Sequence, residues 1–177
     1  VLVECATHAI LGANIGAYRA SEWEVCQPLM SRLQPGMLCL ADRGFNGYEY
    51  WRQARASGAD LLWRCAANRQ LPVHQLLDDG SYISAIYPTG VGRAQAQEQA
   101  VVRVIEYALP NDAAGQPRYR LLTTLLDDRA APALELAALY HRRWEIEAVF
   151  DELKTHLRQS RRVLRSKTAE LVRQEFY

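Results

Sequence analysis

Four polar residues on one stretch, "YHRRWEIEAVFDELKTHLR" at 140–158, have types and spacing suited to chemistry on a phosphate. They are Tyr140, Arg143, Glu147 and Lys154. A carboxylate can ligate a hard cation. A guanidinium and an ammonium can hold phosphate oxygens, and a phenol can donate to a phosphate or stack on a base. On an α-helix turning about 100° per residue, the four fall within roughly 60° of one another. Leu139, Ile146, Val149, Leu153 and Leu157 form a neighbouring apolar strip that should face a core. The polar row therefore runs beside the buried face, where a charge needs a partner or a ligand. Arg143 and Glu147 stand at i,i+4, so the row also fits an ion-pair ladder worth about 0.3–0.5 kcal/mol if exposed. Spacing alone does not choose between the two.

A second carboxylate bears on the choice. "MLCLA" (37–41) is a short apolar run fit for a buried strand, and it ends at Asp42. In open α/β sheets the carboxyl ends of the strands are where active sites gather. An Asp at such an end can equally be a turn former. Paired with a carboxylate from a helix packed across the sheet, it is the arrangement that holds Mg²⁺, which takes one or two carboxylates plus substrate phosphates. Such sites serve phosphodiester displacement.

The elements that must position these groups follow from the rest of the chain. Residues 1–11 are β-branched and apolar and predict a strand. Ser21 with Glu24 is a capping-box signal for a helix to about Leu33, which Pro28 must kink or shorten. Pro35-Gly36 marks a turn. Asn46 can cap a second helix, "GYEYWRQARAS", that Gly58 closes. "DLLWRCAA" (60–67) is a further strand. Residues 72–125 then change texture, with "SYISAIY", "VVRVIEYAL" and "YRLLTTLL" separated by turn-rich "DDG", "PTGVG" and "NDAAGQP". Asp127 and Asp128 before Pro132 suit a helix start, and a helical pattern runs to Leu157. Alternating strands and helices indicate an α/β sheet. The division expected is a core at 1–71, a β-rich insertion at 72–126, and the helix with the rest of the core at 127–177.

Composition bounds the answer without deciding it. The 177 residues are 49% hydrophobic, enough for a sizeable core. The net charge of +1 gives no sign of a partner, but Arg158, Arg161, Arg162, Arg165, Lys167 and Arg173 form a local basic run able to meet phosphates or simply to be solvated. Cys5, Cys26, Cys39 and Cys65 lack zinc-knuckle or redox-pair spacing and read as small apolar residues in a reducing compartment. His8, His74, His141 and His156 have no metal-ligand spacing. No apolar run is long enough to span a bilayer, and no signal peptide is evident.

The tyrosine, arginine, glutamate and lysine at this spacing resemble the Y-R-E-K signature of DDE transposases of bacterial insertion sequences, of the insertion-sequence four (IS-four) family. "LADRGF" (40–45) is similar to that family's segment around its second catalytic aspartate. "THAIL", "LLWRC" and the closing "LRSKTAELVRQEFY" resemble it too, so the likeness covers essentially the whole chain. The resemblance implies an RNase H-like, retroviral integrase-like catalytic core interrupted by a β-rich insertion. It implies Asp42 and Glu147 as catalytic, metal-binding carboxylates, with Mg²⁺ or Mn²⁺ as cofactor, and Tyr140, Arg143 and Lys154 as DNA-binding residues. The reaction implied is attack by water, then by a 3′-hydroxyl, on phosphodiesters at transposon ends and in target DNA. A homodimeric synaptic complex in the bacterial cytoplasm, at the nucleoid, goes with it. No Asp precedes Asp42, whereas the family carries its first aspartate on an earlier strand. The expectation is that residue 1 lies downstream of that aspartate, by truncation or a frameshifted gene copy. The alternative reading is a non-catalytic, DNA-binding remnant of a transposase.

Overall fold

The computed structural model describes all residues except 18, 46, 91–96, 109–118, 145–167, 169, 172–173 and 175–177. Its first residues depart from the single strand expected over 1–11. Two short strands, β1 (Leu2–Val3) and β2 (Ile10–Gly12), pair antiparallel as a hairpin. The cause is Glu4, whose carboxylate accepts hydrogen bonds from the amides of Ala6 and Thr7 and from the Thr7 hydroxyl. That local capture of backbone donors turns the chain where composition alone favoured extension.

The capping box forms as expected: Ser21 Oγ accepts from the Glu24 amide at 3.2 Å, and Glu24 Oε2 accepts from the Ser21 amide at 2.7 Å. Helix α1 (Glu22–Cys26) is short, because Pro28 converts the next turn into a 3₁₀ helix over Gln27–Arg32. Strand β3 (Leu38–Ala41) ends just before Asp42. Helix α2 (Tyr48–Arg55) then carries the chain across to β4 (Asp60–Arg64). Its N-cap is Gly47 without a side-chain bond; the expected cap, Asn46, lies outside the described residues. Gly58, past the helix end, has φ +82°, and a Cβ there would sit 2.9 Å from Pro35 Cγ, so both backbone angle and space call for glycine.

β3 and β4 are parallel, with Ala41 opposite Trp63. The β-rich stretch supplies β5 (Gln75–Leu76), β6 (Tyr82–Ile86), β7 (Ala100–Tyr107) and β8 (Tyr119–Thr123). These run antiparallel and join the same sheet through β8 against β4, in the order β3-β4-β8-β7-β6-β5. The described residues thus form a mixed α/β fold on one mixed six-stranded sheet plus the β1–β2 hairpin.

Strand alternation gives the sheet two buried faces. On one, Cys39, Leu61, Trp63, Val102, Val104 and Leu122 pack with Tyr48, Trp51 and Ala54 of α2. On the other, Leu62, Ile105 and Leu121, with Leu38 and Leu40 at the margin, pack with Ala133, Leu136 and Tyr140 of α3 (Ala133–His141). Helix α3 starts after Pro132, which is its N-cap rather than its first helical residue. At Arg142 the α-helix gives way to a 3₁₀ turn, Arg142–Trp144. The long α-helix expected through Leu157 is therefore described only to His141. Among the described residues, no helix is long and apolar enough to cross a membrane.

Candidate active site

The carboxyl end of β3 and the last turn of α3 meet. Tyr140 is 2% exposed, and its hydroxyl donates to the Ala41 carbonyl at 3.2 Å. One residue past the end of β3, Asp42 Oδ2 lies 3.5 Å from Arg143 Nη2. Asp42 Oδ1 accepts from the Arg43 amide at 2.7 Å, which turns the carboxylate at the start of the 3₁₀ turn Arg43–Phe45. Its side chain is 42% exposed, whereas that of Arg143 is 15% exposed. The guanidinium carbon of Arg143 also stands 5.5 Å from the Tyr140 ring centroid, within cation–π range.

Local folding accounts for the meeting. β3 is apolar on both sides and buried by α2 and α3, so its polar terminus emerges at the sheet edge. Helix α3 presses Leu136 and Tyr140, four residues apart, onto the sheet. The 3₁₀ turn that follows brings Arg143 over Asp42. Burial pushes the Tyr140 phenol up to about 12, with Asp42 adding to the rise and Arg143 and Arg64 opposing it. The phenol thus stays protonated, a donor and not a base, at neutral pH.

Of the five residues singled out in the sequence, the structure brings Asp42, Tyr140 and Arg143 together. Glu147 and Lys154 lie outside the described residues. The described part of the site offers a cation one exposed carboxylate at a strand end. Among the described residues no group of three His, Cys, Asp or Glu could hold a metal. The donor type suits a hard cation, but the described set is not a complete site.

The sequence reading passed over Arg64. It follows Trp63 as Asp42 follows Ala41, so the parallel register of β3 and β4 puts both charges at the same end. The Arg64 guanidinium lies 4.5 Å over the Tyr119 ring, which stacks on Tyr107 at 5.5 Å. His141, just beyond Tyr140, packs edge-on against both rings. The available signal was a basic residue ending an apolar strand parallel to that of Asp42.

The match to known proteins decides the family. The model of the Transposase DDE domain matches residues 1–177. The chain belongs to that family. It is 24% identical over 180 residues to the transposase InsG for insertion sequence element IS4 of Escherichia coli, an alignment covering 99% of this chain and 40% of that protein. It is 26% identical over 130 residues to the putative transposase y4zB of Sinorhizobium fredii, covering 71% of this chain and 35% of that one. The DDE transposase domain thus spans about two-fifths or less of the curated relatives it matches.

Proposed function

We propose that this domain is the catalytic part of a DNA transposase that cleaves and joins phosphodiesters at insertion-sequence ends. The observation that carries the reading is the convergence of Tyr140 and Arg143 on Ala41 and Asp42, two segments a hundred residues apart. A structural ion-pair ladder would have needed only neighbours on the same helix.

In this reading Asp42 and Glu147 hold the divalent cation, Mg²⁺ or Mn²⁺, and Tyr140, Arg143 and Lys154 hold the DNA. When bound, such a cation supplies charge neutralisation at the phosphate and a more acidic attacking water. Asp42 suits the task because its half-open carboxylate is fixed by a backbone amide and is not enclosed. Arg143, at the margin of the core, presents a guanidinium whose planar fork matches phosphate oxygens. Tyr140 is buried with its hydroxyl on the Ala41 carbonyl, so contact with DNA requires that hydroxyl to leave the carbonyl as the end docks. The reading takes the core as RNase H-like, with residues 72–126 as a β-rich insertion between 1–71 and 127–177. It also takes a homodimer on paired ends, at the nucleoid in the cytoplasm, as the working assembly.

The test is strand nicking on end DNA with Mg²⁺, using a chain extended upstream by the strand bearing the family's first aspartate. Asp42→Ala and Glu147→Ala should each abolish nicking, and full activity in both would refute the assignment. For the 177-residue chain, DNA affinity should fall steeply as salt rises, because phosphate contacts release counterions. Binding that ignores salt would contradict the DNA contacts.

A further inference from the structure

Helix α3 has nine residues and carries Tyr140 in its last turn. Its length is about 13.5 Å, so a 10° tilt at its start displaces its end by about 2 Å. Displacements of about 1 Å at a reacting centre can cost on the order of 100-fold in rate. Whatever fixes the first turn of α3 therefore matters to the site at the other end.

That first turn has no cap of its own, since Pro132 makes no side-chain bond to it. The cap comes from the turn between β5 and β6, where Asp79 Oδ2 accepts from the Ala133 amide at 2.8 Å. Asp79 is held in turn by Arg103 of β7, an ion pair in which the arginine is 0% exposed. The Ser81 amide donates to Asp79 Oδ1 at 3.0 Å, and the Ser81 hydroxyl donates to the same oxygen. Arg103 Nε donates to Ser81 Oγ at 2.8 Å. Its Nη1 donates to the carbonyls of Leu125, Asp127 and Ala131 at 3.2, 3.3 and 2.7 Å. One guanidinium thus ties the β5–β6 turn to the whole loop that feeds α3. A second fastener joins the same segments, the Asp78 amide donating to Asp128 Oδ2 at 3.0 Å.

We propose that Asp79 and Arg103 are positioning residues for the site: they fix the first turn of α3 and, through that helix, set Tyr140 and Arg143 against Ala41 and Asp42. The catalytic meaning of that placement rests on the function proposed above, but the placement itself does not. A pair that merely stabilised the fold would loosen every part of the core alike when broken. A positioning pair loosens the α3 face first, because among the described residues every acceptor of the Arg103 side chain lies in the β5–β6 turn or the loop before α3.

Site-resolved tyrosine nitration by tetranitromethane, read by peptide mass spectrometry, separates the two. Tyr140 on α3 and Tyr48 on α2 are comparably buried, at 2% and 4%, on opposite faces of the sheet. In Asp79→Ala the nitration rate of Tyr140 should rise at least about tenfold while Tyr48 stays within about twofold, as local opening requires. Val104→Ala, which trims the α2 face, should lower overall stability without favouring Tyr140. The proposal is overturned if Tyr140 stays protected in Asp79→Ala, or if Tyr140 and Tyr48 rise together. Should Asp79→Ala fail to fold, Asp79→Asn carries the same comparison, since an amide cannot accept all the bonds the carboxylate does. If nicking proved independent of Asp42, the catalytic reading would fall while the nitration result stood.

Discussion

Among the arginine–aspartate pairs near α3, one at each end of the helix is built differently from the other. At the start of the helix, Arg103 is fully buried and spreads its donors over Asp79, Ser81 and three carbonyls. At the far end, Arg143 meets Asp42 at 3.5 Å, longer than a charge-assisted bond, with the carboxylate 42% exposed. In the first pair the guanidinium is enclosed while Asp79 is 21% exposed, and an enclosed guanidinium is costly to desolvate and persists only when its donors are satisfied. The second kind adds little to stability. The contrast separates the pairs: the first encloses its arginine and ties down the start of a helix, and the second leaves its carboxylate half exposed.

Breaking the Arg103 pair tests the contrast most severely. Arg103→Met, close in shape but without donors, strands Asp79 and three carbonyls, and should destabilise the protein by about 3–5 kcal/mol. Urea unfolding measures it; a loss below about 1 kcal/mol would erase the distinction between the pairs.

Asp79→Asn should cost about 1.5–3 kcal/mol at neutral pH, the range for hydrogen bonds to a charged group. The cost should also depend on pH in a defined sense. Burial raises the Asp79 carboxyl, but the Ser81 hydroxyl and amide, the Ala133 amide and Arg103 outweigh it, holding the group below its ordinary value of 3.8. A depressed folded value means the stabilisation is complete above about pH 3.8 and is lost as pH falls through the folded value. Wild type and Asp79→Asn should therefore converge in acid, and a gap that stays constant as pH falls through and well below 3.8 would show that the carboxylate charge is not the source.

Tyr140→Phe removes the bond to Ala41 and should cost about 1 kcal/mol in the same unfolding experiment. Arg143→Ala should cost little through its Asp42 contact, about 1 kcal/mol or less, since that carboxylate is half exposed. It should nonetheless reduce the salt slope of DNA binding by about 1, the signature of a lost phosphate contact. A large stability loss with an unchanged slope would make Arg143 a second structural arginine.

The open pair was more legible in the sequence than the buried one. Asp42 stood out because an apolar strand ends there, and Tyr140 and Arg143 because their spacing resembles a family signature. Arg103 read only as one residue of the strand "VVRVIEYAL", and Asp79 only as part of a "DDG" turn. Their meeting depends on the register that sets Arg103 opposite Ile83 and Thr123, a non-local pairing that no short window encodes. Most strands and the Pro28 break were legible because periodicity and proline act locally. The hairpin at residues 1–12 was not, because one glutamate captures two backbone amides and overrides the β-propensity around it. The joining of β8 to β4 also escaped, since texture marked residues 72–126 as β-rich without saying which strand they would extend.

The most direct measurement is Mg²⁺-dependent nicking of end DNA by the upstream-extended chain, with each variant's folded state checked by unfolding in parallel. The account predicts that Asp42→Ala keeps its stability within about 1 kcal/mol of wild type, and that Asp42→Ala and Glu147→Ala, each folded, show no nicking. Full nicking by both folded variants would contradict it.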